Sequence, residues 1–273
     1  MPSPFTISPN PTAVYLTPAL HGTLAKVRFA IEERQGLCCI LGDAGLGKST
    51  LLRYLNIEFE SQENVVTGWI PKARFPSQFA MMKAVCDEFE IPTKRSLAAQ
   101  SSALEEYLSQ QGEQNKTVIL FIDEAQMMTG DMLELVRVML NYETHFVKLL
   151  QIVMAGTLEL RDRLLLKKNK AIKSRIFAPC LLNALTLEET GAMIQFRCDR
   201  LGFPNPFTSP DVLTKLYSLT NGIPRDVLRT CFHAWNLMKS LEFPASANLI
   251  ESAFEEAQVQ QAEDAEEAIA AEA

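Results

Sequence analysis

The sequence predicts an α/β fold, in which a parallel sheet covered by helices is followed by a smaller helical domain. Short apolar runs alternate with helical patterns from the start of the chain to about Leu185, which is typical of a parallel sheet with helices on both faces. After Leu185 the strand patterns stop and helical patterns continue. The chain has 273 residues, of which 47% are hydrophobic, enough to bury the cores of one large and one small domain.

The predicted elements follow one another with short connections. Strands are expected where apolar runs are brief and uninterrupted, and helices where apolar residues recur with helical spacing. In the first part, the predicted strands are Leu37–Leu41, Val65–Ile70, Thr117–Ile122 and Leu149–Ala155, with a last strand after Arg175, and the predicted helices are Pro18–Arg34, Lys48–Glu60, Gln78–Phe89, Leu97–Gln110 and Met132–Leu140. In the second part, the predicted helices are Leu187–Leu201, Asp211–Leu219 and Arg225–Leu241. The expected domains are residues 1–184 and 185–245, and residues 246–273 form an acidic tail, helical or disordered.

A glycine-rich turn joins the first predicted strand to the next helix. Residues 42–49 read G-x-x-x-x-G-K-S. Glycines let the backbone curve so that successive N–H groups point inward at a helix start, where the helix dipole favours negative charge. The pattern predicts a nucleoside triphosphate site, with Lys48 on the β- and γ-phosphates and Ser49 on Mg²⁺. The residues predicted to hold the nucleotide are Gly42, Asp43, Ala44, Gly45, Leu46, Gly47, Lys48, Ser49 and Thr50. The alternative is a glycine turn that binds nothing.

Two carboxylates follow the predicted strand Thr117–Ile122. They are Asp123 and Glu124, and carboxylates at the end of a buried strand are costly unless they have a task. Asp123 is expected to hold the Mg²⁺ that Ser49 also contacts, and Glu124 to orient and polarise a water for attack on the γ-phosphate. The alternative is that both simply favour a helix N-terminus.

Composition indicates a cytoplasmic protein without a membrane segment. The N-terminus lacks a charged stretch followed by an apolar one, and no apolar run has the length of a membrane span. The six cysteines are scattered without C-x-x-C spacing, which favours reduced core residues. The net charge is −7, but nine of the 33 acidic residues and no Lys or Arg follow Lys239. The preceding part carries 26 basic and 24 acidic residues, so the total charge neither favours nor excludes nucleic-acid binding.

Taken together, these motifs resemble those of an AAA+ ATPase. The resemblance rests on Gly42–Ser49, on Asp123-Glu124-Ala125-Gln126, on the stretch Leu149–Thr157, and on Gly222-Ile223-Pro224-Arg225. More narrowly, the sequence resembles the branch that contains the secretion-pathway ATPase ExeA (GspA) and the transposition regulators TnsC and TniB. Pro9-Asn10-Pro11 with Tyr15-Leu16, Ile31–Gly36 and Leu158–Arg161 carry the likeness to ExeA.

The resemblance assigns further roles by position. Thr157 corresponds to the polar sensor of the γ-phosphate, although a helix N-cap explains it equally well. Arg175 lies where the family presents an arginine finger to a neighbouring subunit, within a basic stretch that is also explained as a solvated surface. Arg225 corresponds to the sensor arginine of the helical lid. Tyr15 lies where the family encloses the adenine, or it simply packs.

The resemblance further implies a homo-oligomer, a ring or filament, that binds Mg·ATP and hydrolyses it between subunits. ExeA-type proteins continue into a membrane span and a cell-wall-binding part, whereas this sequence ends in an acidic tail. Double-stranded DNA is therefore the first expected partner, as for a transposition regulator working with a transposase. The alternative is a secretion or assembly ATPase that acts on a protein partner. The candidate DNA contacts are Lys72, Arg74, Lys94 and Arg95. The isolated histidines suggest no metal site.

Overall fold

The protein is described by a computed structural model over residues 3–6, 13–241 and 243–272. The motif Pro9-Asn10-Pro11 lies outside these residues. The chain divides into two compact units. The sheet unit contains residues 18–44 and 48–182, and the helical unit contains the described residues up to Thr17 together with Gly45–Gly47 and those from Asn183 onward.

The sheet unit is built on five parallel strands in the order β2-β3-β4-β1-β5. The strands are β1 Leu37–Leu41, β2 Val65–Ile70, β3 Thr117–Ile122, β4 Leu150–Gly156 and β5 Ile176–Leu181. The helices are α1 Pro18–Glu32, α2 Lys48–Glu60, α3 Gln78–Glu88, α4 Leu97–Glu113, α5 Gly130–Met139, α6 Leu158–Leu165 and α7 Lys170–Lys173. The predicted α/β class and the strands β1 to β3 are confirmed, whereas the short helices α6 and α7 have no counterpart among the predicted elements.

The position of each strand in the sheet explains its composition. All residues of β1 and β4 are buried, as are all but the first of β3, because these strands have neighbours on both sides and helices on both faces. β5 is an outermost strand with a neighbour on one side only, and its buried residues alternate with exposed ones. Phe177 and Leu181 on this strand are 45% and 52% exposed.

Strand order brings the ends of β1, β3 and β4 together at one edge of the sheet. In the parallel register, Leu41 of β1 pairs with Gly156 of β4, and Ile122 of β3 pairs with Met154 of β4. Chain segments that leave these three strands therefore start next to one another. In open α/β sheets this carboxyl edge is where ligands bind.

The helical unit contains α8 Leu187–Leu201, α9 Pro210–Thr220, α10 Pro224–Leu241 and α11 Ala247–Glu272. Ile250 and Ala253 of α11 are fully buried in its core, so this helix begins as a packed element although the sequence places it in an acidic tail. The N-terminal segment packs in the same unit. Phe5 is fully buried against Phe207 and Trp235, with ring centroids 5.5 and 5.8 Å away.

Arg197 of α8 binds that N-terminal segment through hydrogen bonds. It is 6% exposed, and its guanidinium donates hydrogen bonds to the carbonyls of Pro4, Thr6 and Ala13 at 2.8, 3.0 and 3.3 Å. Three backbone acceptors for one buried arginine satisfy its donors without a carboxylate. The described residues before Pro18 therefore belong to the helical unit, which differs from the domain division expected from the sequence.

All six cysteines are buried and free. Burial raises the pKa of Cys38 to about 12 and that of Cys198 to about 11, which keeps both as thiols at neutral pH. Among the described residues, no helix is long and apolar enough to cross a membrane.

Candidate functional site

The glycine turn leaves β1 at the carboxyl edge and continues into α2. The N–H of Gly42 donates to the carbonyl of Gly156, 3.3 Å away, which ties the turn to the end of β4. Lys48 is 7% exposed, and its Nζ donates to the carbonyls of Gly42 and Asp43 at 2.9 and 2.8 Å. Its ammonium group is thereby held beneath the turn, where a bound phosphate would find a fixed positive charge.

The apex of the turn needs glycine. Gly45 and Gly47 have φ values of +81° and +85°, a region that residues with a Cβ rarely adopt. A Cβ on Gly45 would also lie 2.8 Å from Ile223 Cγ2. Within the helical unit, the backbone N–H of Arg225 donates to the carbonyl of Gly45 at 3.2 Å. Arg225 at the start of α10 is therefore connected through its backbone to the apex of the turn.

Asp123 is the first residue after β3 and is 5% exposed. Burial raises its pKa above the ordinary value, while hydrogen bonds from the Ser49 hydroxyl and the Glu124 N–H and the charge of Lys48 act in the opposite direction. The N–H of Glu124 lies 2.9 Å from Asp123 Oδ1. Thus Ser49 and Asp123, predicted to share a magnesium ion, lie close enough for the Ser49 hydroxyl to lower the pKa of Asp123.

Glu124 turns away from the strand in the left-handed conformation, with φ 50° and ψ 38°. This conformation is uncommon for residues other than glycine and is often found at functional sites. Gln126 Nε2 donates to Glu124 Oε2 at 2.5 Å, and Gln126 Oε1 accepts from the N–H of Thr157 at 3.1 Å. Gln126 therefore connects the carboxylate after β3 to the residue after β4.

Thr157 precedes α6 as its N-cap residue, but its side chain makes no capping hydrogen bond. Its Oγ1 is buried and has no hydrogen-bond partner among the described residues. Buried polar atoms are nearly always paired, so an unpaired hydroxyl at this edge indicates a position for a ligand. The Thr157 side chain therefore does not cap α6 through a hydrogen bond, and its role as a sensor stays a prediction.

The residues present fit a Mg²⁺-bound triphosphate. Mg²⁺ in nucleotide sites is held by one or two protein oxygens, and its other ligands are phosphate oxygens and waters. Ser49 and Asp123 supply this kind of donor set. Among the described residues, no three or more His, Cys, Asp or Glu side chains gather as a metal site.

Arg175 lies at the opposite, amino edge of the sheet, immediately before β5. Its Nη2 donates to Asn141 Oδ1 at 2.7 Å, and its Nη1 donates to the carbonyl of Ala171 at 3.2 Å. Another arginine of the same basic stretch faces the carboxyl edge. Arg163 donates to the carbonyl of Gln126 at 2.6 Å and to that of Met128.

The remaining predicted residues lie outside this cluster. The ring of Tyr15 lies 5.8 Å from that of Phe196 and packs on the core of the helical unit. Lys72 and Arg74 are exposed in the segment after β2. Lys94 and Arg95 are exposed in the connection between α3 and α4.

Sequence reasoning did not single out Gln126 and Arg163. Gln126 was visible as the fourth residue of Asp-Glu-Ala-Gln, but its partner Thr157 is 31 positions away. Arg163 was hidden among other basic residues, because only the folded chain shows which guanidinium faces the turn after β3. Tertiary structure was needed to assign either residue.

A lysine-bearing glycine turn, a buried Asp123 followed by Glu124, and this strand order define the sheet unit as a P-loop nucleotide-binding fold. Residues 31–164, about half of the chain, match the AAA domain family. The chain is also 29% identical over 233 residues to the general secretion pathway protein A of Aeromonas hydrophila, covering 85% of this chain and 42% of that protein. The family match and the similarity to general secretion pathway protein A support an AAA+ ATPase of the ExeA/GspA branch.

Solved structures support the fold. The Aeropyrum pernix ORC2 protein, in its ADPNP-ADP complexes, has a TM-score of 0.63 at 15% identity, over 90% of this chain and 71% of that one. The A. pernix ORC1 protein in complex with DNA has a TM-score of 0.66 at 14% identity, over 93% and 69%. The Thermotoga maritima RuvB Holliday junction branch migration motor has a TM-score of 0.56 at 15% identity, over 89% and 72%.

Proposed function

We infer that this protein binds Mg·ATP at the carboxyl edge of its sheet and hydrolyses it. One observation carries the inference. Lys48, the Ser49–Asp123 pair, Glu124 and the unpaired Thr157 hydroxyl lie at the ends of three adjacent strands. A phosphate chain entering this edge would meet a positive charge, a cation site, a carboxylate and a free hydroxyl.

Each residue has a distinct task in this proposal. Lys48 neutralises charge on the β- and γ-phosphates, and Ser49 and Asp123 hold Mg²⁺. Mg²⁺ supplies charge neutralisation on the phosphate oxygens when it is bound. Glu124 orients the attacking water and polarises it. The Thr157 hydroxyl donates to the γ-phosphate and thereby satisfies its own buried oxygen.

The test separates binding from hydrolysis. Lys48→Ala is expected to abolish nucleotide binding, because the phosphates lose their fixed positive charge. Glu124→Gln is expected to bind ATP with unchanged affinity and to lose hydrolysis by about a hundredfold or more. Binding is measured with a fluorescent ATP analogue and hydrolysis by phosphate release. Hydrolysis by Glu124→Gln at the parental rate would contradict the assignment.

For the oligomer, we infer that ATP favours an assembled ring or filament and that hydrolysis releases it, a shift caused by stronger ATP binding in the assembled state. Arg175 supports this proposal. It lies at the opposite edge of the sheet from Lys48, and in the assembly its guanidinium would exchange its bonds to Asn141 and Ala171 for the nucleotide of a neighbouring subunit. In that role it would stabilise transition-state charge and make hydrolysis depend on assembly.

As the target of the assembly we infer double-stranded DNA, in the manner of a transposition regulator. Exposed Lys72 and Arg74 after β2 and exposed Lys94 and Arg95 after α3 support this proposal. Repeated around an oligomer, these basic groups would follow a phosphate backbone without reading bases. Binding is then expected to require ATP, to be independent of sequence and to weaken steeply with salt.

A protein partner is the second candidate, and the similarity to general secretion pathway protein A favours it. The chain spans less than half of the length of that relative. A secretion or assembly role for this chain is therefore our proposal. Negative-stain microscopy with Mg·ATP, with and without duplex DNA at low salt, separates the candidates. Protein that oligomerises but does not bind DNA would favour the protein-partner role.

A further inference from the structure

Gln126, the last residue of Asp-Glu-Ala-Gln, contacts two residues of the candidate site. Gln126 is half-buried in the short 3₁₀ turn Ala125–Met127 that follows Glu124. Both polar atoms of its side chain are used, since Nε2 donates to Glu124 Oε2 and Oε1 accepts the N–H of Thr157. A single amide thus joins the chain segments that follow two adjacent strands.

The surroundings of this amide hold it in place. A Cβ on Gly156 would lie 3.2 Å from Gln126 Oε1 and 2.7 Å from Leu160 Cδ2, so a glycine at the end of β4 leaves room for the amide. On the other side, Arg163 donates to the carbonyl of Gln126 at 2.6 Å. The backbone of the turn and the tip of the side chain are therefore restrained separately.

We propose that Gln126 is a positioning residue, which holds the Glu124 carboxylate beside Thr157 and leaves Glu124 Oε1 to orient the attacking water. The proposal rests on the ATPase function inferred above. Glu124 has a left-handed backbone and a side chain with several rotatable bonds, so without a partner its carboxylate would sample several positions. The hydrogen bond from Gln126 restricts the Glu124 carboxylate to one position. This position lies at the strand end where the unpaired Thr157 hydroxyl would bind the γ-phosphate.

A positioning role predicts a specific effect on nucleotide affinity and on the rate of hydrolysis. Gln126 makes none of the proposed contacts to ATP, so its loss should leave nucleotide affinity unchanged and lower the rate of the chemical step. A purely structural role predicts a different pattern, in which stability falls and the remaining folded protein keeps its turnover number. Affinity, turnover number and stability must therefore be measured on the same variants.

Two substitutions separate the two hydrogen bonds. Gln126→Met keeps the length of the side chain and removes both bonds. Gln126→Glu keeps an acceptor for the Thr157 N–H but places a second carboxylate against Glu124. In nucleotide-free protein, the amide of Thr157 is therefore expected to exchange about tenfold faster in Gln126→Met and to stay protected in Gln126→Glu.

Gln151 provides a matched control on β4. It is 2% exposed, accepts from the N–H of Gly36 at 2.8 Å and donates to the carbonyl of Lys148 at 2.9 Å. It bridges two segments as Gln126 does, but at the amino edge of the sheet. Gln151→Met should lower the urea midpoint of unfolding and leave kcat within about twofold of the parent.

The experiment measures ATP hydrolysis, binding of a fluorescent ATP analogue, urea unfolding and amide exchange in the parent, Glu124→Gln, both Gln126 variants and Gln151→Met. We expect kcat to fall about tenfold or more in both Gln126 variants, with KM and the dissociation constant within about twofold of the parent. Parental kcat in either Gln126 variant, or a loss that lies in affinity alone, would overturn the positioning role.

The same experiment shows separately whether the proposed ATPase function itself is wrong. Failure of that function would appear as a parent that does not hydrolyse ATP, or as Glu124→Gln acting at the parental rate. Either result would also remove the basis of the positioning role. If Gln126→Met does not fold, Gln126→Glu provides the kinetic test.

Discussion

The two edges of the sheet satisfy their polar groups differently. At the amino edge, Gln151 uses both ends of its amide on backbone groups, and both Nη atoms of Arg175 have acceptors. At the carboxyl edge, burial disfavours the charged form of Asp123, Glu124 has a left-handed backbone, and Thr157 Oγ1 has no partner among the described residues.

The difference between the two edges indicates where a ligand would bind. Folding normally pairs every buried polar group, because an unpaired one costs free energy. At the carboxyl edge the unpaired Thr157 hydroxyl lies with the disfavoured charge of Asp123 and the left-handed Glu124, and we infer that a bound molecule completes this set. At the amino edge Gln151 and Arg175 have partners within the chain, so we expect Arg175 to affect catalysis only through a neighbouring subunit.

The largest expected effect tests that last statement. Arg175→Ala should bind ATP as the parent does but lose hydrolysis by about a thousandfold, as expected for removal of an arginine finger. The specific activity of the parent should also rise with protein concentration as oligomers form. Steady-state rates and light scattering across a dilution series provide the measurement. A rate independent of concentration, in a protein that stays monomeric with ATP, would contradict the prediction.

Thr157→Val tests the unpaired hydroxyl. It removes Oγ1 and preserves the backbone N–H that donates to Gln126, so hydrolysis should fall about tenfold to a hundredfold while stability without nucleotide is unchanged. Thr186 is the matched control, because its side chain does cap a helix, accepting from the N–H of Glu189 at 3.1 Å. Thr186→Val should cost about 1 kcal/mol of stability and leave the turnover number unaffected. Equal destabilisation by both would indicate that Thr157 is an ordinary cap.

Removal of basic charge next to the carboxyl edge tests the DNA proposal. The double variant Lys72→Ala/Arg74→Ala should weaken duplex binding at least about tenfold and reduce its salt dependence, since fewer phosphates are neutralised. Fluorescence anisotropy with labelled duplex, Mg²⁺ and ATP is suitable. Lys116→Ala, a basic residue next to the amino edge, serves as the control. Unchanged DNA affinity in the double variant would exclude these two residues as contacts.

The smallest effect concerns Asp123 in the absence of nucleotide and Mg²⁺. Because burial raises the pKa of Asp123, its ionised form destabilises the folded state at pH values above that pKa. Asp123→Asn should therefore increase the unfolding free energy at pH 7 by about 1 kcal/mol, although it weakens Mg²⁺ binding. The gain should vanish as the pH falls and the aspartate of the parent becomes protonated. Urea unfolding with EDTA at several pH values measures this, and a variant less stable than the parent at pH 7 would contradict it.

The fold class could be predicted from the sequence, and the motif residues could be proposed from it. Largely apolar runs predicted β1, β3 and β4, which have neighbours on both sides and are buried along almost their whole length. The spacing of Gly42, Gly47 and Lys48 and the position of Asp123 after a buried strand are local features, since their chemistry depends on neighbours in the chain. Thus local features were sufficient to predict a P-loop.

Only the tertiary structure decided how residues distant in sequence meet. The packing of Phe5 and α11 was hidden because Phe207 and Trp235 hold Phe5, and α9 and α10 hold α11, and composition gives no sign of such contacts. Whether Thr157 caps a helix, whether Gln126 reaches Glu124 and which guanidinium faces the turn after β3 depend on strand order and side-chain direction. Strand order arises from burial of the whole core at once, so no single segment of sequence encodes it.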